Sequence, residues 1–264
     1  MAQGPEGAKD GVAPRYDAVG HAYRRQSSPD PRFAALIEQA LGDAVSVVNV
    51  GGGAGAYESR RRKVVAIDPS VVMLGQRPAD AAPGLVGVAE ALPFLDASVD
   101  AATAFMTVHH WADRETGLRE LRRIARQRVV ILSYVPQAPD AQPSWLTTEY
   151  FPEIGERAKT LFPGLALYEA CLGPCQLWTV PIPADCTAGF LDAFWARPES
   201  YLDPAVRAAI FWFQELDAAA LARGVARLEH DLRDGTWDAR FGHLRTQRDL
   251  DAGLRLVIAK ERSS

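Results

Sequence analysis

The sequence predicts an α/β protein built on a doubly wound, Rossmann-like sheet of seven strands. Short runs rich in β-branched residues recur at regular intervals, and helical or loop segments separate them. Most runs are apolar throughout rather than alternating, as in parallel strands that helices cover on both faces. The runs span residues 44–50, 64–68, 85–89, 99–105, 128–134, 175–182 and 254–259.

Two helices are marked by their end signals. The first is predicted over residues 30–42, where Asp30 is a capping residue, Pro31 suits the first turn and Gly42 ends the helix. The second covers residues 113–127, with Asp113 as its cap and apolar residues at helical spacing. A further helix is expected directly after the glycine cluster that follows the first strand.

The chain is predicted to form one domain with a flexible tail at residues 1–14 and the folded part at residues 15–264. The tail carries glycine, proline and charge but no apolar core. After residue 135 the composition changes to prolines, aromatic residues and helical patterns, which predicts a helical and aromatic lid in the C-terminal half. The expected core is residues 30–135, 175–182 and 253–260, and the expected lid segments are residues 136–174 and 185–250.

Composition excludes several classes of function. The 264 residues carry a net charge of −4 without a concentrated basic face, which argues against a nucleic-acid partner. No apolar run approaches the length of a membrane span, so no membrane partner is expected. Three cysteines, Cys171, Cys175 and Cys186, are too few for a disulfide framework or a four-ligand zinc site. We therefore expect a cytoplasmic protein without a bound metal.

Glycines follow the first predicted strand in the pattern Gly51-x-Gly53-x-Gly55. Glycine lets the backbone approach a ligand closely, and the exposed amides of such a turn attract a carboxylate or phosphate. Asp68-Pro69 closes the second predicted strand, where a carboxylate can accept hydrogen bonds from both hydroxyls of a ribose. An ordinary glycine turn, with Asp68 only capping a helix that starts at Pro69, is the alternative interpretation.

Two more segments complete a recognisable set. Residues 89–94 read AEALPF after the third strand, and residues 109–113 read HHWAD after the fourth. In this order the four segments resemble the class I S-adenosylmethionine (SAM)-dependent methyltransferases. The nearest group is the broad type 11 family, which includes ubiquinone- and menaquinone-pathway enzymes. The resemblance covers about residues 16–135, and residues 186–259 look like a C-terminal region of uncharacterised actinobacterial members.

The resemblance implies SAM as the cofactor and assigns roles to residues around it. The turn from Gly51 to Gly55 would hold the methionine end, and Asp68 with Pro69 would bind the ribose. Met73, Ala89 and Glu90 would line the adenine pocket, and Ala104 and Met106 would lie under the sulfonium. Tyr16 and Tyr23 resemble an N-terminal aromatic segment that closes over SAM.

The sequence departs from the family pattern at three positions. Asn49 stands where many relatives carry an acid in the first strand, and it supplies no charge. Val88 stands where an acid often contacts adenine. Ser27 and Ser28 stand where relatives often carry arginine, and Arg24 or Arg25 is the available substitute.

His109 and His110 are the candidate general bases, because imidazole titrates near neutral pH and their loop should face the transferred methyl group. Packing against Trp111 is the alternative role for either histidine. The aromatic residues of the lid are expected to line a pocket for a small aromatic or lipophilic metabolite, and the alternative for many of these rings is a place in the core. The expected rings are Trp145, Tyr150, Trp178, Phe194, Trp195, Tyr201, Phe211 and Trp212.

The sequence therefore predicts methyl transfer from SAM to a small molecule, with two alternatives. A SAM-binding enzyme that catalyses a cyclisation without methyl transfer would carry the same cofactor residues. An NAD(P)-dependent oxidoreductase would share the glycine turn and the acid at residue 68, but the third glycine lies too close to the second for the dinucleotide pattern. The sequence does not specify the acceptor atom or the oligomeric state.

Overall fold

The computed structural model describes residues 29–135 and 138–260, and its centre is a seven-stranded sheet in the order β3-β2-β1-β4-β5-β9-β6. Strands β1 to β5 are parallel, and β9 runs antiparallel to both β5 and β6. This is the predicted Rossmann-like α/β architecture. The strands of this sheet are β1 (Ser46–Val50), β2 (Lys63–Asp68), β3 (Gly84–Val86), β4 (Val99–Phe105), β5 (Ala125–Tyr134), β6 (Cys175–Thr179) and β9 (Leu254–Lys260).

Helices flank the sheet and build the lid. They are α1 (Pro31–Leu41), α2 (Val71–Gly75), α3 (Arg114–Ile124), α4 (Pro152–Leu161), α5 (Leu165–Leu172), α6 (Pro204–Ala209), α7 (Phe211–Gln214), α8 (Ala218–Arg233) and α9 (Thr236–Phe241). A π-helical turn covers Leu146–Tyr150, and 3₁₀ turns cover Val108–His110, Leu191–Phe194, Pro198–Leu202 and Gly242–Thr246.

The first predicted helix forms as its end signals indicate. The Asp30 carboxylate accepts the backbone N–H of Arg32 at 2.9 Å, Pro31 stands in the first turn, and Gly42 ends α1 with φ of +55°. The Arg32 guanidinium also binds Asp30, and these hydrogen bonds lower the pKa of the Asp30 carboxyl to about 2. Helix α1 then packs Phe33 and Ile37 into the core beneath the sheet.

Strands β1 and β2 are joined without a helix, contrary to the prediction. Residues 51–62 form turns, bends and irregular backbone, with no helix between β1 and β2. The glycine turn therefore lacks a helix N-terminus behind it and needs another source of rigidity.

Other boundaries also differ from the sequence-based expectation. Strand β3 has only three residues, and helix α3 ends at Ile124 because residues 125–127 already belong to β5. The predicted strand at residues 175–182 divides into β6 and β7 (Ile182–Pro183), and β7 pairs with β8 (Asp249–Leu250) in a separate two-stranded sheet. Pro183 lacks the N–H that a central strand requires, which suits this short ladder.

Most of the lid's rings form the interior of the lid itself. Trp145, Trp195, Tyr201 and Trp237 are buried, and the Trp145 ring lies edge-on to Tyr150. Two of the buried indoles donate to backbone carbonyls, Trp145 Nε1 to Trp195 O and Trp195 Nε1 to Ile182 O, each at 2.9 Å. Trp145, Trp195 and Tyr201 were expected either to line a substrate pocket or to form core, and their burial shows that they form core. Phe211 and Trp178 keep part of their surface exposed.

No helix within residues 29–135 and 138–260 is long and apolar enough to cross a membrane. No group of three or more histidine, cysteine and acidic side chains in the same residues is arranged to hold a metal ion. Cys171, Cys175 and Cys186 are free thiols.

Within the lid, helix α8 packs against Tyr150 and Phe151 through Gly224. A Cβ atom on Gly224 would lie 2.2 Å from Cε1 of Phe151 and 2.6 Å from the carbonyl oxygen of Tyr150. Gly224→Ala should therefore lower the free energy of unfolding by about 1–3 kcal/mol, although alanine is the better helix former. Gly75→Ala is the control, because nothing lies within 4 Å of its Cβ position. Urea unfolding measures both variants, and equal stability of the two would contradict the close packing of α8.

Candidate functional site

The glycine turn after β1 lies at the carboxyl end of the parallel strands. Gly51, Gly53 and Gly55 all have positive φ, of +71°, +46° and +93°. A Cβ atom on Gly51 would lie 2.0 Å from Oγ1 of Thr107, which follows β4. Glycine is therefore required at residue 51 both by its conformation and by the close approach of the two strand ends.

A buried ion pair takes the place of the missing helix behind this turn. The side chains of Arg77 and Glu58 are each 6% exposed, and Arg77 Nη2 binds Glu58 Oε2. Arg77 Nη1 donates to the carbonyl oxygen of Gly53 at 2.9 Å, and Nε donates to that of Ala82 at 3.1 Å. One guanidinium thus joins the glycine turn, the segment before β2 and the loop before β3.

The ion pair also orients the peptide groups of the turn. In a trans peptide the C=O and N–H point in opposite directions, so the bond from Arg77 to Gly53 O turns the N–H of Ala54 away from Arg77. Within residues 29–135 and 138–260, that N–H has no hydrogen-bond acceptor. Ala54 is only partly buried, so its amide remains available to an anionic ligand group.

Asn49 has a role that an acid in its place would not fill. Its side-chain amide donates to Glu58 Oε1 at 3.1 Å, and its carbonyl oxygen accepts the hydroxyl of Thr103 at 3.1 Å. An aspartate at residue 49 would put a second carboxylate against Glu58, and like charges repel in a buried site. Glu58 therefore places a negative charge beside Asn49.

Asp68 connects the end of β2 to the glycine turn. Its Oδ2 accepts the N–H of Gly53 at 2.8 Å, and its Oδ1 accepts the N–H of Ser70 at 2.9 Å. A carboxylate offers about four acceptor positions, and these amides take two of them. The cap of α2 is Ser70, whose Oγ accepts the N–H of Met73, so the idea that Asp68 caps a helix starting at Pro69 is wrong.

Of the residues assigned to the adenine pocket, Met73 lies beside this turn. Met73 is buried, and its Cε would be 3.3 Å from a Cβ on Gly53. Ala89 is buried beneath α3, and the Glu90 carboxylate accepts the N–H of Asp113 at 3.0 Å, which fixes the 89–94 segment to the HHWAD segment. Val88 is 45% exposed, so it presents an apolar surface to the solvent.

Strand β4 is separated by β1 from β2, the strand that ends at Asp68. The side chain of Ala104 is fully buried in the core, so only its backbone is available to a ligand. Met106 has φ of +53°, and its N–H donates to Leu132 O at 2.8 Å, which holds the sharp turn that follows the strand.

His109 and His110 follow this turn on the short 3₁₀ helix. Their ring centroids are 3.9 Å apart, and His109 also packs on Phe162 at 4.5 Å. His109 is buried, and its Nδ1 has no partner in residues 29–135 and 138–260. Burial, with smaller electrostatic effects of His110 and Arg114, lowers the pKa of His109 well below 6.5, so it is neutral at pH 7. His110 is only partly buried and meets Phe211 edge-on at 5.7 Å.

The fold thus brings together the glycine turn, Asp68, Met73 and the end of β4 at one edge of the sheet. Tyr16 and Tyr23 lie outside the described residues. The sequence analysis missed Glu58, Arg77 and Thr107. Glu58 carried a signal, because an acid soon after a glycine turn can compensate an uncharged residue at position 49. Arg77 and Thr107 carried none, since their partners are remote in sequence.

Comparison with known proteins agrees with this geometry. Residues 48–132 match a protein-family model described as a methyltransferase domain. A candidate methyltransferase from an antibiotic biosynthesis pathway of Anabaena variabilis ATCC 29413 is 28% identical. Its TM-score is 0.81, with 89% of this chain and 98% of that chain covered. None of the curated proteins matches.

Two more distant structures share the fold. The YcgJ protein of Bacillus subtilis is 18% identical with a TM-score of 0.52, covering 89% of this chain and 99% of its own. The [4+2]-cyclase SpnF is 14% identical with a TM-score of 0.57, covering 96% of each chain. Residues 48–132 are thus similar to a methyltransferase domain, and the chain shares the Rossmann-like fold of class I methyltransferases, enzymes whose cofactor is S-adenosylmethionine.

Proposed function

We propose that the protein transfers a methyl group from SAM to a small acceptor molecule at the carboxyl edge of its sheet. The observation that carries this proposal is that the Asp68 carboxylate binds the N–H of Gly53, next to the Ala54 amide that faces away from Arg77. A backbone amide can bind the carboxylate at the methionine end of an adenosyl amino acid. An acidic side chain can bind the hydroxyls of its ribose.

The residues present fit this cofactor. The amides of the glycine turn would hold its methionine carboxylate, and Asp68 with Pro69 would hold its ribose. Met73, Ala89 and Glu90 would border the adenine, with Ala104 backbone and Met106 near the sulfonium. Tyr16 and Tyr23 are proposed to close the site from the N-terminal side. The bound cofactor supplies an electrophilic methyl group on a sulfonium, which is a good leaving group.

The chain's own contribution is alignment, exclusion of water and acceptance of a proton. Correct alignment of two reactants can contribute about 7–11 kcal/mol to a reaction of this kind. Of the two histidines, we assign the proton to His110, because buried His109 has a lowered pKa and is the weaker base. His109 then shapes the wall of the pocket together with Phe162.

The acceptor is proposed to be a small aromatic or lipophilic metabolite. The rings that face the histidines from the lid are Phe162 and Phe211, and Phe105 meets Tyr57 edge-on at the end of β4. The similarity to a candidate methyltransferase of an antibiotic biosynthesis pathway supports a small-molecule substrate rather than a protein or nucleic acid.

The first experiment incubates the full chain with SAM and a panel of phenols, aromatic amines and lipophilic alcohols. Mass spectrometry then measures S-adenosylhomocysteine (SAH) and methylated product. Asp68→Ala should weaken SAH binding about 100-fold, since two hydrogen bonds to a charged group are lost at roughly 1.5 kcal/mol each. Asp96→Ala, on an exposed side chain, is the control. Calorimetry measures the affinities, and tight SAH binding by Asp68→Ala would contradict the ribose assignment.

Breaking the Arg77–Glu58 ion pair should also lower the affinity for the cofactor. Arg77→Met leaves Glu58 buried without its cation and releases the carbonyl of Gly53, so the melting temperature falls and SAH binds about tenfold more weakly or worse. Arg119→Met is the matched control, because Arg119 forms an exposed ion pair with Glu115. Binding is measured well below the melting temperature of each variant. Wild-type affinity in Arg77→Met would show that the ion pair does not shape the turn.

The two histidines are distinguished by their effect on turnover. His110→Gln should reduce kcat by about 100-fold with unchanged SAH affinity, because a general base contributes about 10²–10⁴ in rate. His109→Gln should mainly raise KM for the acceptor, since this ring forms wall surface. The measurement is steady-state kinetics with the acceptor found in the panel. An unchanged kcat in His110→Gln would remove it as the base.

A further inference from the structure

A carboxylate is buried in the lid without an evident structural reason. Asp192, in the Leu191–Phe194 turn, is 5% exposed. Its Oδ2 accepts the hydroxyl of Tyr134 at 2.9 Å, and its Oδ1 accepts the hydroxyl of Ser144 at 2.6 Å. Two neutral donors are modest compensation for a buried negative charge, which is costly without a cation.

No cation pairs with Asp192 among the described residues of the chain. Tyr134 of β5 and Tyr201 of the Pro198–Leu202 turn interact electrostatically with Asp192. Arg197 is the nearby cation, but its Nη2 donates to the carbonyl oxygens of Cys186 and Ala193. Burial therefore raises the pKa of the Asp192 carboxyl, so this group opposes folding when it is ionised.

A second tyrosine–aspartate pair in the lid provides a comparison. Asp231, 8% exposed, accepts the hydroxyl of Tyr150 at 2.9 Å, and Arg227 Nε lies 4.0 Å from the same carboxylate oxygen. This pair has a cation and lies in the lid's interior, so it is an ordinary structural contact. The Tyr134–Asp192 pair has no such cation among the described residues, and its tyrosine belongs to β5 of the central sheet.

Tyr134 is the last residue of β5, at the same edge of the sheet as the proposed methyl site. Strand β5 pairs with β4 up to Leu132, whose carbonyl accepts the N–H of Met106. The ring of Tyr134 is 5.2 Å from that of Phe162, which is 4.5 Å from His109. Tyr134 is only partly buried, unlike Asp192 behind it. The Tyr134 phenol therefore lies between the buried Asp192 carboxylate and Phe162, the ring that packs on His109.

We propose that Tyr134, held by Asp192, is the polar anchor of the acceptor pocket and selects acceptors that carry a hydroxyl or amino group. The proposal rests on the proposed function, because it places the acceptor beside His110 at the end of β4. The Tyr134 hydroxyl gives its own proton to Asp192, so its oxygen is left as a hydrogen-bond acceptor. It therefore recognises a donor, while Phe162 and the histidines border the apolar body of the ligand.

The binding experiment compares phenol with anisole, which has the same ring but no hydroxyl proton. Saturation-transfer NMR and melting temperatures are measured with the full chain and excess SAH. Phenol should bind and anisole should bind at least about tenfold more weakly, because a buried acceptor is left unpaired by anisole. Tyr134→Phe should remove the difference, and the control Tyr150→Phe should retain it. Equal binding of the two probes, or no binding of phenol, would overturn the proposal.

A stability experiment tests Asp192 without any ligand. An aspartate whose folded-state pKa is raised binds its proton more tightly when folded, so stability falls as pH rises from about 4 through that raised pKa. Asp192→Asn should thus have a melting temperature equal to or above wild type at pH 8, with the advantage shrinking towards pH 5. Asp231→Asn, the matched control, should melt lower than wild type. If Asp192→Asn lowered the melting temperature as much as Asp231→Asn does, Asp192 would be a structural residue.

The two proposals fail in distinguishable ways. If SAH does not bind the wild-type chain, the proposed function fails, whereas the phenol comparison without SAH and the Asp192→Asn melting curve still test the anchor. If SAH binds and methyl transfer occurs equally well to acceptors with and without a donor group, the anchor fails while the methyltransferase assignment holds.

Discussion

The buried guanidinium of Arg77 is the contact on which the candidate site depends. The chain connects β1 to β2 by turns alone, so no helix stands behind the glycine turn. Arg77 binds Glu58 and the carbonyl of Gly53, and Asn49 adds a hydrogen bond to Glu58. A rigid turn with an outward amide follows from these three contacts. An ion pair this buried is costly to break, which makes the turn sensitive to any change in it.

The lid divides into a part that supports itself and a part that faces the sheet edge. Trp145 and Trp195 are buried and bonded to backbone carbonyls, so the lid has its own aromatic interior. Phe162 and Phe211 instead meet the histidine pair at the end of β4. The same division separates the two tyrosine–aspartate pairs. The pair with Arg227 stabilises the lid, and the pair at Tyr134 stands at the edge where an acceptor is proposed to bind.

Much of the candidate site was visible in local sequence because its parts are strand-to-loop transitions. The glycines at 51, 53 and 55, Asp68 and the histidines each follow a short apolar run, and parallel strands bring their carboxyl ends to one edge. Glu58 and Arg77 were missed because their importance comes from charges that meet only in the folded chain. The hydrogen bond from Asn49 to Glu58 was likewise not predicted, since Glu58 lies beside Asn49 only in the structure.

The sequence by itself determined the sheet, the cap of α1 at Asp30 and the position of the glycine turn, because apolar periodicity and end signals act over neighbouring residues. Only the tertiary structure decided the absence of a helix after β1, the division of residues 175–182 between two sheets and the burial of the lid's tryptophans. These features depend on contacts between remote segments. Whether a ring is core or pocket wall depends on what packs against it, and a single sequence does not contain that information.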